Sequence, residues 1–305
     1  EKADDVSTFV VIPGSAADLW SKRRIGSITK REIAAFVDGE ALRAPIGANR
    51  ALSIIKTMFK WAVQRDIIEA NPAADVSAPS PQKSRDRVLT DDELFAVWRA
   101  AEKIGWPFGS WLKLAILTGQ RKSEVAGIRR SEVDERKATW TIPGPRAKNG
   151  KAHLVPLSRQ TLAALSECTP ATSGEGFILT TTGDAPIAGF SKAKHQIDAL
   201  MLDELRALAE QRGDDPSQVA LAPWRLHDLR RTMATRMPAL GVTLEVVEKI
   251  LNHTGGSFGG VVAVYQRYAY DAEKRDALQR WADYVEKLVS AAPAARVVKL
   301  AWVQK

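Results

Sequence analysis

Six side chains suited to work on one phosphodiester recur in order along this chain. Arg121 stands in Thr118-Gly119-Gln120-Arg121-Lys122-Ser123-Glu124, and Lys148 follows. His227 and Arg230 stand in His227-Asp228-Leu229-Arg230, and His253 and Tyr265 come last. A planar guanidinium grips two non-bridging phosphate oxygens at once. A tyrosine hydroxyl is a covalent nucleophile, and histidine and lysine move protons. Two arginines do the charge work that a magnesium pair does in nucleases. No carboxylate cluster is spaced for a two-metal site, so neither a metal nor another cofactor is expected.

Each piece also has an ordinary reading. Gly119, at the end of an apolar run, permits a left-handed exit, so Arg121 opens a new helix whose free N–H groups favour an anion, with Glu124 bracing it. It is equally a surface arginine with an i+3 partner. His227 and Arg230 share one helical face, while Arg231 points about 100° away. His253, in Ile250-Leu251-Asn252-His253-Thr254, has the position of a C-terminal cap. The glycine-rich Gly255–Gly260 that follows is a plain loop or a hinge for the next helix. Tyr265, Tyr268 and Tyr270 lie on that helix, where aromatic packing is the alternative role. Lys148 at a hairpin tip is otherwise a turn lysine.

The bulk composition narrows the partners. A chain of 305 residues divides naturally into two domains. Its net charge of +8 favours an anionic partner, nucleic acid first and a membrane surface second. Cys168 is the sole cysteine, which excludes an intrachain disulfide and a thiolate metal cluster and fits a reducing cytoplasm. No apolar run reaches the ~18 residues that span a bilayer, and no signal-peptide core is present, so no membrane association is expected. The start at Glu1 rather than Met suggests a fragment or a processed chain.

These residues need elements to hold them. The first part reads as helical, with short helices near Trp20 and over 28–36, where Thr29 and Glu32 form a capping box. Over 48–66, Leu52, Ile55, Phe59 and Val63 fall at helical spacing. Arg50, Lys56 and Lys60 lie elsewhere on that helix, as a solvated face or as DNA contacts. Asn71-Pro72 ends the unit, and the Pro- and Ser-rich Ala73–Arg87 reads as linker, its basic end (Lys83, Arg85, Arg87) able to follow a phosphate backbone. Thr90 caps the next helix. Helices are expected over 91–103, 107–118, 158–167, 189–211, 227–238, 243–251, 260–268 and 272–290. Strands over 138–142 and 152–157 flank the hairpin signal Asn149-Gly150, with a third strand over 177–179. The expected class is mainly α with a small antiparallel β-hairpin sheet, in two domains. Residues 1–75 form a helical domain, 76–88 a linker, 89–290 a second domain and 291–305 a tail.

Taken together, TGQR at 118–121, Lys148 in a hairpin, HDLRRT at 227–232, LNH at 251–253 and a downstream tyrosine resemble the tyrosine recombinase (phage integrase) family. ANRALSIIKTMFKWAVQRDIIEANP at 48–72 is similar to the end of that family's core-binding domain. VYQRYAY followed by WADYVEKL at 281–288 resembles integrases of temperate phages and genomic islands.

The resemblance implies site-specific recombination through a 3′-phosphotyrosine, with residues 1–75 as a core-binding domain and 89–290 as a catalytic domain. Arg121 and Arg230 hold the phosphate, Glu124 supports the first arginine, Lys148 is the general acid, and His227 acts as base or acid near the tyrosine. His253 donates to the phosphate and Tyr265 is the nucleophile. It further implies duplex DNA as partner, a tetramer on two DNA sites, and accessory DNA-bending factors. The sequence departs from the family at two places. Tyr265 lies twelve residues after His253 rather than nine, which makes Tyr268 the runner-up nucleophile, and Asn252 stands where glycine is usual. Alternative readings are a type IB topoisomerase, a regulator that binds DNA without catalysis, and a metal nuclease.

Overall fold

The structure is a computed structural model that describes residues 12–81, 86–168, 176–253 and 269–290. Tyr265, Tyr268, the helix expected over 260–268, the tail 291–305, Lys83 and Arg85 lie outside the described residues. The chain divides into two compact units, Glu1–Arg85 and Asp86–Lys305.

The first unit contains α1 (Ala16–Trp20), α2 (Lys30–Arg43) and α3 (Pro45–Val63). The capping box read from the sequence is present: Thr29 accepts from Glu32 N, and Glu32 accepts from Thr29 N at 2.9 Å. Helix α3 starts at Pro45, whose fixed φ and missing N–H suit a first helical turn. Its Ala48, Leu52, Ile55 and Phe59 join Ile33 and Val37 of α2 in one core. Ala62, not Val63, is the last fully buried residue of that face. Lys56 and Lys60 project about 40° apart on a flank shared with Ser53 and Thr57, and Arg50 lies about 80° from Lys60. Arg50 and Lys60 are exposed, and one donor of Lys56 is held by Ala74 O at 2.9 Å. Ile54, Met58 and Trp61 form a separate exposed apolar flank.

The Pro- and Ser-rich stretch packs further than a free linker would. Ala73 and Val76 are buried in the first core, and Asn49 holds Ser80 through Nδ2 to Ser80 O (2.7 Å) and Ser80 N to Oδ1 (3.3 Å). A buried amide recruits these backbone groups where the sequence carries no apolar period.

In the second unit, α4 (Asp91–Ile104) opens on a capping box between Thr90 and Glu93. Helix α5 (Phe108–Thr118) is almost wholly buried and runs through the core, where Trp281 Nε1 donates to Ile116 O at 2.8 Å. The short α6 (Lys122–Ala126) follows. Strands β1 (Val133–Asp134), β2 (Thr139–Ile142) and β3 (His153–Pro156) form an antiparallel sheet in the order β1-β2-β3, with Ile142 opposite His153. The remaining helices are α7 (Arg159–Ser166), α8 (Phe190–Arg212), α9 (His227–Arg236), α10 (Leu244–Ile250) and α11 (Asp271–Ser290).

Two local expectations change. The third strand is β1, at the far side of β2, not 177–179. There Phe177 forms a single bridge with Arg129, Ile178 N goes to Ile128 O, and Leu179 O accepts from Ile187 N, so no ladder continues. Helix α9 ends at Arg236 and gives way to a 3-10 turn over Met237–Leu240, because Pro238 has no N–H to extend it. The β2–β3 connection lies between Ile142 and His153, one residue longer than the 143–151 left between the expected strands. It spans residues 143–152 and contains a 3-10 turn, Gly144–Arg146. Its base is clamped by Arg146, which pairs with Glu132 and donates to Glu124 O at 3.3 Å.

Asn49→Ala leaves the Ser80 groups without partners, so we expect a loss of about 1–2 kcal/mol in urea unfolding. Faster hydrogen exchange at the Ser80 amide is expected beside it; an unchanged rate there rejects the tether.

Candidate active site

The site is built around the C-terminal end of α10. Asn252 takes a left-handed φ of +50°, His253 N reaches back to Glu248 O (3.1 Å), and Asn252 N reaches Lys249 O (3.2 Å). This is a Schellman close. It leaves the carbonyls of Ile250, Leu251 and Asn252 pointing out of the turn, and side chains from three other segments satisfy them. Gln120 Nε2 and His153 Nε2 both bond Ile250 O at 3.0 Å. Arg230 Nη2 donates to Leu251 O, and Arg121 Nη2 donates to Asn252 O at 3.3 Å.

The two arginines are placed by local chemistry legible in the chain. Gly119 closes α5 with a left-handed φ of +64°. A Cβ there would sit 2.3 Å from Met233 Sδ, so glycine is required for both conformation and space. That exit turns Arg121 onto the start of α6, where Glu124, buried, accepts from Arg121 N and pairs with its guanidinium, each at 2.9 Å. Within HDLRRT, Asp228 is buried, accepts from Arg225 N (2.8 Å) and pairs with Arg231. Thr232 accepts from Leu89 N at 2.9 Å, fixing α9 to the entry of the unit.

Arg230, only 4% exposed, donates to Gly119 O (2.9 Å), to Leu251 O and to His253 Nε2 (3.0 Å). Among the described residues no carboxylate lies within bonding reach of it. Burial first, and the charge of Arg121 second, push its pKa down to about 10, so it remains a cation at neutral pH. Of its five N–H donors, these three bonds leave two unspent among the described residues. His253 Nδ1 bonds Glu248 Oε2 at 2.8 Å. With that nitrogen donating to the carboxylate, Nε2 accepts from Arg230.

His227 opens α9 and is solvent-exposed. Partial desolvation first, then the charges of Arg230 and Arg231, hold its pKa below the ordinary histidine value. Lys148 is exposed on the hairpin and pairs with no other described residue. The structure thus brings Arg121, Glu124, Arg230 and His253 into one bonded network, with His227 one helical turn from Arg230. It keeps Arg50, Lys56 and Lys60 on the other unit. Among the described residues no group of three or more His, Cys, Asp or Glu is placed to hold a metal ion.

Sequence reasoning gave Gln120 and His153 no role. His153 is buried on β3, and desolvation first, opposed by the Ile250 carbonyl, pushes its pKa from 6.5 down to about 4. The available signal was a histidine inside an otherwise apolar strand. The unfolded chain binds this proton near pH 6.5 and the folded chain only near 4. The stability it contributes is therefore complete above pH 6.5 and drains as pH falls toward 4, by up to about 1.4 kcal/mol per pH unit. His227 adds the same sign. Urea unfolding at pH 7 and pH 5 should show a shallower loss for His153→Gln than for the parent chain; equal slopes exclude His153 as a source.

Comparison with known proteins extends these observations. Residues 87–271 match the Phage integrase family and residues 15–79 match the Phage integrase central domain. Prophage integrase IntZ of Escherichia coli K12 is 25% identical over 88% of this chain and 63% of its own length, and prophage integrase IntA of the same strain is 26% identical over 89% and 65%. The chain thus spans a little under two thirds of those relatives. Tyrosine recombinase XerD of Mycobacterium leprae is 25% identical over 70% of this chain and 68% of its own. Among solved structures, a lambda integrase (75–356) dimer bound to a core site superposes with a TM-score of 0.56 at 21% identity, covering 78% of this chain and 83% of that one. A lambda integrase tetramer bound to a Holliday junction gives 0.55 at 20%, covering 79% and 68%. With the family matched across more than half its length, this chain belongs to the phage integrase family of tyrosine recombinases.

Proposed function

We propose that the chain is a site-specific DNA recombinase that cuts and rejoins strands through a 3′-phosphotyrosine, for integration or excision of a mobile element. The observation that carries this reading is Arg230, a buried cation beside Arg121 whose described partners include no carboxylate, with donors left for an anion. Such a site favours a phosphate and, more strongly, the extra charge of a pentacoordinate transition state.

In this reading Arg121 and Arg230 hold the non-bridging oxygens. Tyr265 Oη forms a bond to phosphorus as the P–O5′ bond breaks. His227, its pKa lowered, is neutral at physiological pH and accepts the tyrosine proton. Lys148 supplies a proton to the departing O5′. His253 is the hydrogen-bond donor to the phosphate in this reading. A 5′-hydroxyl from a partner strand then attacks the phosphotyrosine and reverses these steps. The covalent link conserves the phosphodiester's energy, so no high-energy cofactor is needed.

Duplex DNA is the partner, with the flank of α3 bearing Lys56 and Lys60, and the nearby Arg50, contacting its backbone. Lambda integrase is a tetramer on a Holliday junction, and a tetramer on two sites is the working assembly proposed for this chain, in the cytoplasm.

The test is a nicked duplex spanning the junction of the element that carries the gene. On it the parent chain and Tyr268→Phe should form a covalent adduct in a denaturing gel, and Tyr265→Phe should not. An adduct with Tyr265→Phe rejects that nucleophile. Arg230→Ala should slow adduct formation by on the order of 100- to 1000-fold. Efficient relaxation of a supercoiled plasmid lacking the junction would instead identify a topoisomerase.

A further inference from the structure

The tip of the β2–β3 connection is tied to the turn after α10 by one side-chain pair. Asn149 Nδ2 donates to Asn252 Oδ1 at 2.7 Å, and Asn252 Nδ2 returns a longer bond to Asn149 Oδ1 at 3.4 Å. Both residues flank chemistry: Asn149 follows Lys148, and Asn252 precedes His253. The backbone of Asn252 is engaged as well, since its carbonyl accepts from Arg121.

Capping alone does not account for Asn252. At a left-handed helix end glycine is the least strained residue, and a side chain at φ +50° carries a cost that asparagine only reduces. The amide is surplus to the Schellman close, and its one described side-chain partner is Asn149. Lys148 itself is exposed with no described partner. Its place relative to the two arginines is therefore set by the backbone on either side of it. One side is the clamped base at Arg146; the other is Asn149.

We propose that Asn149 and Asn252 are positioning residues that hold the hairpin so that Lys148 meets the leaving O5′ of the phosphate gripped by Arg121 and Arg230. The inference rests on the recombinase reading above. In the step concerned, the P–O5′ bond breaks, the tyrosine–phosphorus bond forms, and the proton of Lys148 Nζ passes to O5′. Losing the pair leaves the arginines in place, so DNA affinity is retained while proton delivery slows.

The experiment measures single-turnover cleavage of the nicked element-junction duplex at saturating protein, and of the same duplex with sulfur replacing the bridging O5′. A thiolate, with a conjugate-acid pKa of about 8.5, departs without the proton an alkoxide needs. Asn252→Gly preserves the helix end, and Asn149→Ala removes the same pair from the other side. Each should cleave the oxygen duplex on the order of 10- to 100-fold more slowly than the parent chain, with Kd unchanged. The double variant should lose no more than either single one. On the sulfur duplex both should return to the parent rate, as Lys148→Ala should. Parent-like cleavage of the oxygen duplex, or a defect of equal size on both duplexes, overturns the inference. If Lys148→Ala alone shows no defect on oxygen, the assignment of Lys148 as the acid fails, and the positioning role falls with it. If the Tyr265→Phe/Tyr268→Phe double variant still forms an adduct, the tyrosine reading itself has failed.

Discussion

Three carbonyls at the end of α10 organise the second unit. A helix leaves its last carbonyls without intrahelical partners, and each one buried and unsatisfied costs about 1–3 kcal/mol. Here Ile250, Leu251 and Asn252 are satisfied by Gln120, His153, Arg230 and Arg121. Those four donors come from the α5–α6 turn, from β3 and from α9, so one local requirement draws three distant segments to one point. The negative end of the helix dipole also offsets part of the cost of bringing two guanidinium groups together. The cations therefore stand assembled before any anion arrives.

Burial makes those cations worth more. A unit charge 4 Å from another gains about 1 kcal/mol in bulk water but about 4 kcal/mol at an effective dielectric near 20. Arg230 sits in the second regime, and no described carboxylate cancels it by direct contact. Arg121 differs, because Glu124 holds both its backbone N–H and its guanidinium. That carboxylate orients the fork and reduces the net charge, so the two arginines have unlike roles: one is aimed, the other is charged and enclosed.

Legibility in the sequence followed the range of the interactions. Thr29 and Thr90 were readable as caps because a capping box is complete within four residues. The pairing of Arg121 with Glu124 and the shared face of His227 and Arg230 were readable for the same reason. The strand at 177–179 was misjudged because an apolar run says that residues are buried, not that their backbones pair, and Ile178 and Leu179 are core residues. The hairpin signal Asn149-Gly150 and its flanking strands located the connection but not its clamp, since Arg146 reaches Glu132 fourteen residues back. Gln120 had no local signature, and His153 had only its place in an otherwise apolar strand. Their role exists only when Ile250, 97 residues beyond His153, closes its helix beside them.

The hairpin is held unequally at its two ends, and the inequality is chemical. Its base is fixed by a charged pair, Arg146 with Glu132, together with a bond to Glu124 O. Gly127 leaves room for that guanidinium, since a Cβ would lie 2.5 Å from Nη1. Bonds between ionised groups contribute roughly twice what neutral ones do. The tip is tied to the turn after α10 by the neutral amides of Asn149 and Asn252, one bond short and one long. Thermal opening therefore begins at the tip, and the base retains register while it does. A lysine on such an arm can be displaced and returned to one place, because the end that defines its path is the more firmly held.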